Sequence, residues 1–295
     1  MRGAGAIALL FGLMTSAASV SGQATEASRA SNAQSDPREV FFAGAKEAAK
    51  RYEDRREAIA DGFRRLGPDF PGMGEHWVQI GRIVSGKLTG DKPSVLCYVQ
   101  LDSAPRLVGL AYTLPLRADE SPPAEPFGEE AWHDHSGEVT EESLLLNHPS
   151  SAAGTTSDVR LSMVHVWIPL ENPDGVLQQN NWKLPYLRAG LAPPDSPSLT
   201  ASRGLSLGSH GADYYQELLY WGVGPDEDDR RAVDRILLRY SAQVDRWIER
   251  AIADEREVDA HALERTWTSF WRDLEAEVST EGYARLLPLK SGHEE

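Results

Sequence analysis

The chain has 295 residues, enough for one large domain or two small ones, and 45 acidic against 30 basic side chains leave a net charge of −15. Such a surface repels phosphate backbones, and with no basic stripe anywhere in the sequence nucleic acid is a poor partner. A single cysteine, Cys97, excludes an internal disulfide framework. Within Val95-Leu96-Cys97-Tyr98-Val99 it reads as a small buried hydrophobe.

Arg2 precedes an apolar run from Ala6 to Met14, and small residues follow as far as Ala24. That order predicts a secretory signal peptide over 1–24, with Gly22-Gln23-Ala24 fitting the small-x-small rule and a cut near Ala18 as the alternative. The run is too short to span a bilayer, which takes roughly 20 apolar residues, and no later run approaches that length. The expectation is a soluble protein, periplasmic or secreted, with no membrane span. A flexible leader would cover 25–36.

Asp36-Pro37-Arg38-Glu39 is a helix start, with an N-cap acid, proline in the first turn and a glutamate at the third position. Phe41, Ala45, Ala48, Tyr52, Ile59, Phe63 and Leu66 then recur at helical steps, predicting one amphipathic helix ended by Gly67-Pro68. From Trp77 the period becomes two. Trp77–Val84, Ser94–Leu101, Arg106–Leu114 and Arg160–Ile168 read as strands, the middle two forming a hairpin across 102–105. Residues 117–131, 149–158 and 188–211 read as loops. A short helix fits Ala212–Trp221. Val233, Leu237, Tyr240, Val244, Trp247 and Ala251 form one helical seam. Asp259 caps a second, which turns Leu263, Trp267, Phe270, Trp271, Leu274 and Val278 inward. The fold class is α+β: a small antiparallel sheet or barrel flanked by an N-terminal helix and a C-terminal helical pair. The β-rich domain would cover 37–200, with a helical region at 201–295 packed on it.

Five of the eight histidines lie in or beside the β-rich segment. His133 and His135, at i and i+2, would point to one face of a strand. His76 leads into the first strand, His148 follows Leu144-Leu145-Leu146-Asn147, and His165 shares a face with Leu161, Met163 and Trp167. Neutral imidazole suits zinc, iron, copper and nickel, so His76, His133, His135 and His165 are the candidate ligands of a divalent transition metal, with Glu75, Glu138 or Asp134 available as a carboxylate. A metal ion or a small molecule is the partner this implies. The pattern is similar to cupins in geometry only. Gly128 stands five residues before His133 and Glu138 three after His135, which departs from the cupin spacing.

The order Pro71-Gly72-Met73-Gly74-Glu75-His76-Trp77, then Leu107–Tyr112, Trp132-His133, His165-Val166-Trp167 and Asn172-Pro173-Asp174-Gly175, resembles a family of secreted bacterial proteins of uncharacterised activity. The resemblance covers 66–182 and implies a domain boundary but no reaction.

Two other readings stand beside the metal site. Gly204-Leu205-Ser206-Leu207-Gly208 matches a nucleophile elbow, but no buried strand precedes it. The alternative without enzymatic activity is an exported binding or structural protein. It would have core histidines and an aromatic helical interface at Trp221, Trp247, Trp267 and Trp271. Export has a direct check: N-terminal sequencing of exported material should begin near Thr25. A charged run in place of Ala6–Met14 should hold the protein inside the cell.

Overall fold

Asp36 and Pro37 begin the first helix as their chemistry dictates. The Asp36 carboxylate accepts from the Arg38 N–H at 2.8 Å, and proline sits in the first turn, where no N–H is needed. The computed structural model describes residues 36–101, 104–117, 119–134 and 159–291. Helix α1 (Pro37–Arg51) stops before its apolar periodicity does. Asp54 accepts from the Arg56 N–H and opens a second helix, α2 (Arg55–Ala60), after which the chain enters strand β1 (Arg64–Phe70). The single helix expected through Leu66 is therefore two helices and the start of a strand. A capping aspartate inside a periodic stretch offers the backbone an alternative to helix continuation.

Strands β2 (Gly74–Val78), β3 (Val95–Leu101), β4 (Ala104–Arg117), β5 (His133–Asp134) and β6 (Val159–Val166) complete one sheet in the order β1-β2-β3-β4-β6-β5. Every neighbouring pair is antiparallel. The sheet is open, so of the two expected forms, sheet or barrel, it is the sheet. The strand expected over Trp77–Val84 ends at Val78, because the Gln79 side chain turns onto the Arg82 N–H at 3.0 Å and caps helix α3 (Ile80–Ser85). Gly74 at φ +88° begins β2, and any side chain there would meet the Tyr98 carbonyl, so only glycine lets β2 pair so closely with β3.

Both faces of the sheet are covered. One face (Leu96, Tyr98, Leu110, Tyr112, Val164 and Val166) packs on α1 through Phe41, Ala45 and Ala48, and on α2 through Ala58. Tyr98 and Tyr112 donate their hydroxyls to the carbonyls of Tyr52 and Gly90, which satisfies the polar ends of two buried rings. Phe70, Met73, Cys97, Val99 and Trp167 pack the opposite way, against the C-terminal helices.

Those helices are α4 (Leu184–Arg188), α5 (Leu199–Ser206), α6 (Ala212–Val223), α7 (Glu227–Ala253), α8 (Ala260–Glu277) and α9 (Thr280–Ser291). Helices α7 and α8 are the expected pair. Asp259 accepts from the His261 and Ala262 N–H groups as its position demands, and Leu263, Trp267, Phe270, Trp271 and Leu274 are buried. The stretch read as a loop over 188–211 contains α5, which crosses position 200. Arg188 binds Asp69 and the Phe70 carbonyl, tying α4 to β1. Among the described residues no helix is long and apolar enough to cross a membrane.

The segment Gly204–Gly208 is the end of α5, not a strand-to-helix turn. Ser206 is buried and donates its hydroxyl to the Ser202 carbonyl at 2.8 Å, so it is not presented as a nucleophile. Gly204 has a packing role: a Cβ there would strike the Leu263 carbonyl of α8. Gly204→Ala should force α5 and α8 apart and destabilise the protein by about 1–3 kcal/mol, read as a fall in Tm. An unchanged Tm would mean that the two helices do not cross this closely.

Candidate metal centre

The antiparallel register decides which side chains meet. His76 pairs with Cys97 across β2 and β3, and Cys97 pairs with Gly109 across β3 and β4. Ala111, two residues on from Gly109 and on the same face, pairs with His165 of β6. His133 of β5 pairs with Met163, again on the His165 face. His76, Cys97, His165 and His133 thus share one face by parity alone.

Strands β2 and β6 are three places apart in the sheet, roughly 14 Å at the usual strand spacing. The intervening positions on β4 are a glycine and an alanine, so both imidazoles can lean inward over it. His76 Nε2 and His165 Nε2 approach to 3.4 Å. One ligand atom from each of His76, Cys97 and His165 lies within 4.8 Å of the other two. These three residues are 6%, 0% and 1% exposed, and together they could hold a metal ion.

The rings are held in place by aromatic neighbours. Phe70 meets His76 edge-on at 5.0 Å, and His165 lies between two stacked partners, His133 at 5.1 Å and Trp167 at 6.0 Å. Trp167 lies over Gly109, where an added Cβ would come within 3.0 Å of its ring. Its indole N–H donates to the Gln178 carbonyl and its backbone N–H to the Val176 carbonyl. The intervening turn is built by Asn172, whose Oδ1 accepts from the Asp174 N–H at 3.2 Å and whose amide donates to the Asn180 carbonyl at 2.8 Å. Asn172-Pro173-Asp174-Gly175 therefore folds the chain back to fix Trp167, and through it His165. Pro71–Gly74 does the same for His76: the Met73 N–H closes a turn onto the Phe70 carbonyl, and the Gly72 carbonyl accepts from Asn181 at 2.8 Å.

Of the four histidines expected as ligands, His76 and His165 come together. His133 stacks on His165, ring plane to ring plane at 14°, one position outside the closest group. His135, with His148 and Glu138, lies outside the described residues. Glu75 points to the other face, where it meets Arg65 at 3.0 Å, Arg55 at 3.5 Å and the Trp77 indole at 3.0 Å.

Cys97 is the member that its own sequence context does not reveal. An apolar run around a cysteine looks the same whether the thiol is packing or a ligand. Only the pairing of β2 with β3 sets it beside His76, and the helix and loop joining those strands leave the register unreadable in advance. No family model, curated protein or solved structure matches the chain, and the resemblance noted above rests on its quoted residues alone.

One further histidine is perturbed beyond this group. His210, in the turn between α5 and α6, has its Nε2 shut from solvent with no hydrogen-bond partner among the described residues. Burial, aided by the Arg188 guanidinium, pushes its pKa down to about 4, while Asp245 pulls weakly upward. Above pH ~6.5 the imidazole is neutral in both folded and unfolded chains and adds no pH dependence. Below that the unfolded chain takes up a proton that the folded one refuses, so stability falls until about pH 4. His210→Gln should remove up to about one proton from the slope of stability against pH in this window. Denaturant melts at several pH values check this, and parallel profiles for wild type and variant would contradict it.

Proposed function

We propose that this protein is exported and binds a transition-metal ion of the zinc, iron, copper and nickel group on the inner face of its sheet. His76, His165 and Cys97 hold the ion, His133 stacks on His165 beside them, and His135 is a further candidate ligand. The 3.4 Å separation of the two Nε2 atoms carries the proposal. Two imidazole nitrogens bound at about 2.05 Å and spread by a tetrahedral angle lie about 3.3 Å apart, and a thiolate on the same ion lies about 3.6 Å from each. The 4.8 Å bound on the group leaves a shift of about 1 Å to complete that geometry. The rival reading is a structural histidine pair sharing one N–H···N bond. At 3.4 Å such a bond would be long and weak. The aromatic-interface alternative loses two of its residues, because Trp267 and Trp271 are core.

Binding needs neutral imidazole and thiolate, so affinity should fall as pH drops. Elemental analysis of untagged protein purified without chelators should find about one metal per chain, and calorimetric titration should show one site. His76→Ala and His165→Ala should each abolish retention, His133→Ala with His135→Ala should weaken it, and a change at the tail residue His293 should do nothing. At free metal 100 times Kd, wild type should gain about 2.7 kcal/mol of stability. Binding no tighter than millimolar, or equal binding by His76→Ala and His165→Ala, would leave the histidines as core residues.

A further inference from the structure

We infer that the ion this centre selects is copper in its cuprous state. The inference rests on the metal-binding reading above and goes beyond it by naming the ion.

The ligand set carries the choice. A sequence of histidines with a carboxylate points to a divalent ion of intermediate hardness, but the register replaces that carboxylate with the Cys97 thiolate. Thiolate is the soft donor that favours Cu(I), and two imidazoles with one cysteine form a trigonal set characteristic of copper sites. The distances agree. Two nitrogens at about 2.0 Å on a trigonal ion lie about 3.5 Å apart, so the observed 3.4 Å accommodates this geometry as well as the tetrahedral one, and the donor set makes the choice.

Charge points the same way. Two neutral imidazoles and one thiolate carry a single negative charge, which neutralises a singly charged ion. A divalent ion on the same three ligands keeps a net positive charge. The surroundings are apolar: Phe70 on His76, Trp167 on His165, and Val99 and Val108 in the same core cluster as Cys97. Residual charge in such a setting is disfavoured even after relaxation. On binding, Cys97 exchanges its S–H bond for an S–Cu bond and the proton leaves to solvent; no electron is transferred.

The test is competition on the whole folded chain, reduced and without oxygen. Cu(I) held by a chromophoric chelator should be withdrawn at one equivalent per chain and kept against a hundredfold excess of Zn(II). Cys97→Ser removes a direct ligand, so it should weaken Cu(I) binding by at least the roughly hundredfold that loss of even an outer-shell partner can cause. X-ray absorption at the copper edge of wild type needs no variant and should show one sulfur and two nitrogen neighbours. If Zn(II) or Co(II) binds at His76 and His165 and displaces Cu(I), or if the copper has no sulfur neighbour, this inference is overturned while the metal site stands. If none of these ions binds, both fall.

Discussion

The centre depends on the absence of bulk at two positions of one strand. Gly109 and Ala111 of β4 lie on the inner face between the strands that carry His76 and His165. Larger side chains there would fill the space over β4 and keep the two rings apart. Their small size also seats the Trp167 indole directly on Gly109, so the same feature that brings the imidazoles within 3.4 Å also buttresses one of them. A site assembled on paired strands rather than on loops suits a geometry that must be accurate to fractions of an ångström.

The two faces of the sheet do different work with similar residues. Toward α1 and α2 the layer is apolar, and its buried tyrosines end on backbone carbonyls. Toward the C-terminal helices the aliphatic and aromatic residues are interrupted by His76, Cys97 and His165, all removed from solvent. A shared ion would draw all three groups into one coordination shell. The C-terminal helices, through α4 and α6, form the lid of the inner face as well as a hydrophobic core. The Arg188–Asp69 pair anchors that lid to β1, close to Phe70 and therefore to His76.

The motif residues also acquire a physical meaning. Pro71–Gly74 and Asn172–Gly175 contribute no ligand. They are turns that end or return the chain beside the two histidine strands, and their glycines and asparagine are the residue types that such turns require.

Several features could be read without coordinates. The caps at Asp36 and Asp259, the inward faces of α7 and α8, the α+β class and the attachment of His76 and His165 to strands all follow from local chemistry. Periodicity and capping act within a few residues, so they survive in one dimension. The break of the first helix at Asp54 and the end of β2 at Gln79 were not legible, because side-chain caps there override a continuing apolar pattern, and helix α5, capped by Ser198, lies in a stretch that reads as a loop. Tertiary structure alone decided the membership of the candidate centre. It placed Cys97 opposite His76, turned Glu75 to the other face and set His133 beside His165 as a stacked ring. Those outcomes depend on strand register, which is fixed by pairing between residues as far apart in the chain as Leu110 and Val166, and a shift of one residue in that pairing would have reversed each of them.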